Sequence, residues 1–97
     1  MLFLRYRNVI LPIPIERIIR NPGAYDGKSV LVQGRVKGAA AIGPYGGYSL
    51  DDDTGSILVI TDAGTPEIGR AVHVRGLVKR GLVVEGTSLL VIVEKRF

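Results

Sequence analysis

The chain has 97 residues, of which 46% are hydrophobic and 23% are charged, and this length and composition fit one small folded domain. It contains no Cys and one His, which excludes a disulfide framework, a thiolate metal site, a Cys nucleophile and a His cluster. A Ser-His-Asp hydrolase would need His73 for every role, and no acid and base pair is evident. An enzyme is therefore the least favoured class, and we expect no catalytic residue, metal or cofactor.

The net charge of +4 is unevenly distributed along the chain. Residues 1–20 carry four Arg and one Glu, residues 21–69 carry three basic and six acidic side chains, and residues 70–97 carry six basic and two acidic ones. Such a concentration of basic charge attracts a polyanion, although a modest net charge also simply keeps a protein soluble. The sequence contains neither a run of roughly 20 apolar residues nor the pattern of a secretory signal, so we expect a cytoplasmic protein.

The first predicted elements are an N-terminal arm or extra strand over residues 1–13 and then a short helix, which opens a domain over residues 14–97. Pro14 suits the first position of that helix, and the segment from Asn21 to Gly23 ends it. Three isoleucines fall on one helical face: Ile15, Ile18 and Ile19. We expect this apolar face to cover one open end of the strands that follow.

Five strands are predicted after the helix, because Val and Ile alternate with polar residues between Gly-containing turns. They span residues 28–38, 47–52, 56–61, 70–79 and 82–95. The first and fourth strands each place a glycine on the apolar face, Gly34 and Gly76, which is typical of a bulge or sharp bend where a sheet curls. Two such strands indicate a small closed barrel.

Three successive carboxylates stand between the second and third strands: Asp51, Asp52 and Asp53. Clustered carboxylates suit a divalent cation, but adjacent strand residues point to opposite sides of a sheet. Asp and Gly also supply the backbone angles of a tight turn. We therefore interpret this segment as the turn of a hairpin.

Four runs of residues carry a resemblance to a known family. They are Ile15-x-x-Ile18 with Asn21-Pro22, Tyr25-Asp26-Gly27-Lys28 with Val30-x-Val32-x-Gly34-x-Val36, Tyr48-x-Leu50-x-Asp52-x-Thr54-Gly55-x-Ile57-x-Val59, and Gly69-x-x-Val72-x-Val74-x-Gly76-x-Val78. Over residues 14–94 the chain resembles OB-fold nucleic-acid-binding domains, especially stand-alone and anticodon-binding-like ones with a short helix before the first strand. The resemblance implies an all-β, five-stranded Greek-key barrel. Unlike many members, this chain has room for little more than a turn over residues 62–69.

The resemblance also implies a ligand site across the outer face of the second and third strands. The loops that flank this site are expected at residues 38–46 and 79–81. Because the first and fourth strands are neighbours in this fold, their basic side chains would share one outer surface. The candidate nucleic-acid-binding residues are Gln33, Arg35, Lys37, Tyr45, Tyr48, His73, Arg75, Lys79 and Arg80.

Cationic side chains in this set would neutralise phosphates, and a tyrosine would stack on an exposed base. The alternative is that the cations occupy the solvated face of half-exposed strands and that His73 is an ordinary polar surface residue. Tyr48 alternates in phase with Leu50, which favours a core position. Tyr45 follows Pro44 in a loop, which favours exposure.

The leading hypothesis is a non-catalytic OB-fold module that binds single-stranded DNA or RNA with low sequence specificity. The alternative is a protein-interaction or assembly module, such as one domain of a larger membrane-attached protein or a homo-oligomer. It rests on four apolar residues that fall on the outer face: Leu31, Leu58, Ile60 and Leu77. They imply a cover, such as the arm over residues 2–11, a partner subunit or a ligand. A small or saccharide ligand is a third, fainter alternative.

Overall fold

Five strands and two short helices form the part of the chain that the computed structural model describes, residues 11–95. The elements are α1 (Ile15–Arg20), α2 (Pro22–Tyr25), β1 (Ser29–Ile42), β2 (Tyr45–Asp51), β3 (Ser56–Ile60), β4 (Ala71–Val84) and β5 (Thr87–Glu94). The strands close into a barrel in the order β1-β2-β3-β5-β4, with β4 returning to β1. All pairs are antiparallel except β3 with β5. The predicted all-β, closed five-stranded class is confirmed.

The helix α1 packs two of the three isoleucines of its predicted apolar face into the barrel, whereas Ile19 is 42% exposed. Ile15 and Ile18 are fully buried and belong to the same cluster as the inward-facing valines of the strands. Pro14 lies just before the first helical turn, one position earlier than predicted. A second helix of one turn, α2, begins at Pro22, where the sequence predicted only an end. Proline fits there because the first turn of a helix needs no donor from that residue.

The turn between β2 and β3 holds the start of α1 in place. The backbone N–H of Ile15 donates to Asp52 Oδ2 at 2.9 Å, and that of Glu16 donates to Thr54 Oγ1 at 3.1 Å. These N–H groups have no partner within the helix, and Pro14 offers no side-chain cap. The turn therefore supplies the cap that the local sequence lacks.

The two inward glycines of β1 and β4 permit close approach of neighbouring strands. A Cβ at Gly34 would lie 2.5 Å from the carbonyl oxygen of Asp51, and one at Gly76 would lie 2.3 Å from that of Val93. The register shifts lie elsewhere, between Val36 and Gly38 in β1 and between Lys79 and Leu82 in β4. At these two glycines the neighbouring strands therefore approach closely without a bulge.

The predicted positions of the two loops that would flank a ligand site are wrong. Both hairpins extend further along the chain than predicted. Residues 38–42 pair with the start of β2, so the first connection is confined to Gly43 and Pro44. Residues 79–84 remain in β4, and the chain turns at Glu85 and Gly86, both with positive φ. Glycines in these segments weaken the local signal for a strand, but pairing of residues 38–42 with β2 and of residues 82–84 with β5 extends both hairpins.

The ends of the chain bear on two further expectations. Residues 1–10, which form most of the predicted arm over residues 1–13, lie outside the described residues. Residues 96 and 97, at the end of the predicted domain, also lie outside them. Within the described part, the N–H of Ile13 donates to the carbonyl oxygen of Leu31 at 2.9 Å, which fixes the entry to the barrel. Between β3 and β4 the chain forms turns and no helix, as predicted. Within residues 11–95, no helix has the length and apolarity needed to cross a membrane.

Candidate nucleic-acid interface

The charged side chains are divided by sign between two groups of strands. The strands β1 and β4 contain no Asp or Glu, and their cations are Arg35, Lys37, Arg75, Lys79 and Arg80. The strands β2, β3 and β5 contain no Lys or Arg, and their only acids are Asp51 and Glu94. Because β1 and β4 are neighbours in the barrel, the division produces a surface of one sign.

The register of β1 against β4 defines the geometry of that surface. Gln33 lies opposite His73, Arg35 opposite Ala71, and Arg75 opposite Leu31. Arg35 and Arg75 are therefore four positions apart along the ladder, or about 13 Å at the usual rise of a strand. We define the basic face as six exposed side chains on the outside of β1 and β4: Gln33, Arg35, Lys37, His73, Arg75 and Lys79.

Two further cations lie beside the basic face and were not among the predicted site residues. The N–H of Lys95 donates to the carbonyl oxygen of Arg75 at 2.8 Å, and its Nζ donates to Ser29 Oγ at 3.2 Å. Arg70 precedes β4, and its carbonyl oxygen accepts the N–H of Val36 at 3.0 Å. Both could have been included from the sequence, because Arg70 begins the predicted fourth strand and Lys95 ends the predicted fifth strand.

Arg35 is positioned by a hydrogen bond at the edge of the basic face. Its Nη1 donates to the carbonyl oxygen of Gly69 at 2.9 Å, which uses one of the five guanidinium N–H donors. Arg35 is also the cross-strand partner of Asp51. The pKa of Asp51 is lowered by the hydroxyl of Ser56 and the N–H of Asp53, with a smaller contribution from Lys37. The basic face therefore ends at an ionised carboxylate.

A depression of about 290 Å³ lies where these opposite charges meet. It is lined by Gln33, Arg35 and Lys37 of β1 and by the three aspartates that begin at Asp51. Gly34, Ala71 and Val72 complete the lining. The depression thus brings hydrogen-bond donors and acceptors to one place.

The three carboxylates build the β2–β3 turn, as the sequence predicts. Asp52 Oδ1 accepts the N–H and the hydroxyl of Thr54, at 2.9 and 2.6 Å, and the N–H of Gly55 at 3.2 Å. Asp51 accepts the N–H of Asp53 at 2.9 Å and the hydroxyl of Ser56 at 2.6 Å. Among residues 11–95, no group of three His, Asp or Glu side chains is arranged to hold a metal ion.

The two candidate tyrosines do not lie on the basic face. Tyr48 is only 1% exposed and packs in the barrel core, so it cannot stack on a base, and its place in the predicted site is wrong. Burial, and secondarily the charge of Glu94, raises the pKa of Tyr48 to about 12. Tyr45 is 50% exposed, but it lines a different hollow, of about 360 Å³, with Ile60, Val93 and Glu94.

Arg80 lies apart from Arg35 and Arg75, at the side of the barrel that carries α2. Its N–H donates to Asp26 Oδ1 at 2.9 Å, and its Nη1 is 3.2 Å from where a Cβ at Gly23 would stand. Its neighbour Lys79 lies opposite Val91 at the far end of the basic face. The structure therefore brings together six of the nine predicted residues and separates Arg80 and both tyrosines from them.

The outer surface of β3 and β5 is apolar. Val59 and Ile92 form an inward pair, so alternation directs their neighbours outward, and Leu58 lies opposite Val91. We define the apolar face by its outward residues: Leu58, Ile60, Leu77, Val91 and Val93. Val91 is fully buried even though it lies outside the main core cluster.

The two long hairpins approach each other beside the apolar face. A Cβ at Gly43, in the β1–β2 connection, would lie 3.2 Å from Cγ1 of Val84 in the β4–β5 hairpin. Ile42, next to that connection, is 2% exposed although it is not part of the core cluster. The surface that the resemblance associates with ligands, on the second and third strands, therefore lacks strand cations and adjoins contacting hairpins.

Comparison with known proteins adds no further assignment. No protein-family model matches the chain, and no curated protein matches its sequence. The site is therefore interpreted from its own chemistry.

Proposed function

We propose that this chain is a non-catalytic OB-fold module that binds single-stranded nucleic acid with low sequence specificity through the basic face. The strand order, the closed sheet and the helix before β1 support the OB assignment. The observation that carries the proposal is the division of charge: every Lys and Arg of the five strands lies on β1 or β4.

The composition of the basic face favours recognition of the phosphate backbone. It offers four cationic side chains and His73, with Lys95 beside them, but no Tyr, Phe or Trp ring for a base to stack on. Contacts of this kind supply affinity that is independent of sequence and sensitive to salt. Five phosphate contacts to a single strand give a slope of log K against log salt of about −3.5.

The proposed surface differs from the one implied by the resemblance. Binding across β2 and β3 would place phosphates on the apolar face, where no strand cation lies. Binding along β1 and β4 places them on Arg35, Arg75 and Lys79 instead. Tyr45, separated from these cations, takes no part in the binding proposed here.

A fluorescence-anisotropy titration of a labelled single-stranded oligonucleotide, at low and at moderate salt, tests the proposal. We expect the double variant R35A/R75A to bind about tenfold more weakly at low salt and to reduce the salt slope by about 1.4, the share of two phosphate contacts. The matched control is R17A/R20A, which removes the same charge from exposed positions on α1. Thermal melting of both variants checks that the fold is retained.

Two results would overturn the proposal. One is the absence of binding by the wild-type protein at tens of micromolar, even at low salt. The other is an equal loss of affinity in both double variants, since that would reflect net charge rather than the basic face.

One observation favours a second function, assembly with a protein partner through the apolar face. The hollow beside Tyr45 combines an apolar floor of Ile60 and Val93 with an exposed aromatic ring. If this surface is an interface, I60K should reduce oligomer or complex size in light scattering, and deletion of residues 1–11 should change oligomeric state or solubility. R35A/R75A would then be silent in the same measurement.

A further inference from the structure

The depression at the edge of the basic face is lined by both basic and acidic residues, whereas a phosphate-binding site needs only basic or neutral ones. Arg35 and Lys37 of β1 line the depression together with the three aspartates of the β2–β3 turn, Asp51, Asp52 and Asp53. A phosphate would be repelled by the carboxylates, and a metal ion would be repelled by the guanidinium and ammonium groups. The complementary ligand is an uncharged group with donors on one edge and acceptors on another.

The three carboxylates differ in how much hydrogen-bonding capacity remains. Asp52 accepts four hydrogen bonds from the turn and from α1, and Asp51 accepts two. The carboxylate of Asp53 is exposed, and within the described residues it accepts no hydrogen bond from a protein group. Asp53 is therefore the acceptor that is available to a ligand at this rim.

Guanine matches this arrangement better than the other bases. Its Watson–Crick edge carries two adjacent N–H donors, N1 and the N2 amino group, which one carboxylate can accept together. Its O6 and N7 are adjacent acceptors, which suit Arg or Lys. Adenine and cytosine present a single amino donor, and thymine and uracil a single ring N–H, so none of them satisfies both sides of the depression equally well.

We propose that the depression between β1 and the β2–β3 turn is a guanine subsite, in which Asp53 accepts the N1 and N2 protons and Arg35 or Lys37 donates to O6 and N7. The inference rests on the proposed function, because a neighbouring phosphate on the basic face would deliver the base to the depression. It adds a preference for one base to an otherwise sequence-independent surface. Bases of single strands are open to such contacts, since their edges are not paired.

The test compares labelled oligothymidines of about 12 nucleotides that differ only at one central position, which is dT, dG, dA or dC. We expect dG to bind about tenfold more tightly than dT, and inosine, which lacks the N2 amino group, to lose most of that gain. D53N should abolish the preference for dG and leave the salt slope unchanged. Asn tolerates the positive φ of 74° at this position, so this variant should retain the turn.

E85Q is the matched control, because Glu85 is exposed, also has positive φ, and lies at the distant β4–β5 turn. It removes the same charge and should keep the preference for dG. Equal affinity of all four oligonucleotides with a normal salt slope would overturn the guanine subsite and leave the proposed function intact. An equal gain in affinity for every oligonucleotide in both D53N and E85Q would also overturn the guanine subsite, because it would show that Asp53 acts only through its charge.

The absence of oligonucleotide binding would overturn the proposed function but would not test the guanine subsite. A second measurement tests the subsite without an oligonucleotide. Titration of the free protein with GMP and, separately, UMP should shift the backbone amide NMR signals of Gly34 and Asp53 with GMP only. Equal or absent shifts with the two nucleotides would overturn the guanine subsite independently.

Discussion

The basic face and the apolar face lie on the same small barrel, yet they differ in almost every property that governs binding. The basic face is built by the two longest strands, β1 and β4, and all of its six residues are exposed. The apolar face carries no cation, its Val91 is fully buried, and the hairpins meet nearby. The basic face is therefore exposed to solvent, whereas the apolar face contributes buried surface to the stability of the fold.

The largest loss of stability is expected from a substitution that forces apart β4 and β5, the strands that connect the basic face to the apolar face. Gly76 of β4 packs against β5, and a Cβ there would lie 2.3 Å from the carbonyl oxygen of Val93. We expect G76A to lower the free energy of unfolding by about 3 kcal/mol or more, because backbone must move. Urea denaturation measures this loss. In G38A, where a Cβ meets nothing within 4 Å, a loss as large would contradict the explanation by close approach.

Alkaline pH should lower the free energy of unfolding through Tyr48, which lies in the core of the barrel. The pKa of Tyr48 rises to about 12 because of burial and the nearby charge of Glu94, whereas it is near 10 in the unfolded chain. The folded state therefore favours the protonated phenol, so its stability is complete below pH 10 and falls as the pH rises towards 12. We expect a loss of about 2.5 kcal/mol across this window.

Urea midpoints of the wild type and of Y48F between pH 9 and 12 measure that loss as a difference. Y48F should lack this component, because it has no phenol at that position. Y45F, which removes a half-exposed phenol, is the matched control. Parallel pH curves for wild type and Y48F would show that Tyr48 ionises as easily in the folded chain as in the unfolded one.

A pair of valine substitutions sharpens the contrast between covered and open apolar residues. V91A removes two methyl groups from a side chain with no exposed surface, and we expect it to lower the free energy of unfolding by about 2 kcal/mol. V83A makes the same change at a residue that is 67% exposed and should cost less than about 0.5 kcal/mol. Equal costs in chemical denaturation would mean that the apolar face is not covered by its own chain.

The smallest expected effect comes from adding a cation to one side of the barrel or to the other. Gln33 of β1 and Thr87 of β5 are both exposed. Q33K should tighten oligonucleotide binding about twofold at low salt and steepen the salt slope by about 0.7. T87K, with the same net charge but on a strand without cations, should change neither. An equal gain in both variants by anisotropy would favour non-specific attraction over a defined face.

Much of this fold follows from alternation that is visible in the sequence. Val30, Val32, Val36, Val74 and Val78 share the inward phase of β1 and β4 and are buried, whereas Val72, in the same phase, is half-buried. The placement of Arg35 and Arg75 on one surface also followed, because it depends only on alternation and on the pairing of the first and fourth strands. The turn around Asp52 was recognisable because Asp and Gly carry a local signal.

The hairpin extensions could not be predicted in the same way. Residues 38–42 are glycine, alanine and isoleucine, which favour no particular local structure, and their strand form depends on pairing with β2. The position of Tyr45 depends in turn on that pairing. Its separation from the basic face therefore results from non-local contacts that no local pattern contains.

The hydrogen bonds between the β2–β3 turn and α1 have a consequence for the order of folding. With six residues, α1 is too short to persist on its own in water, and its first N–H groups are satisfied by residues 37 and 38 positions further along the chain. The helix therefore becomes stable only once the hairpin of β2 and β3 has formed. During synthesis, α1 is made before the β2–β3 turn and must wait for that turn before it acquires its native structure.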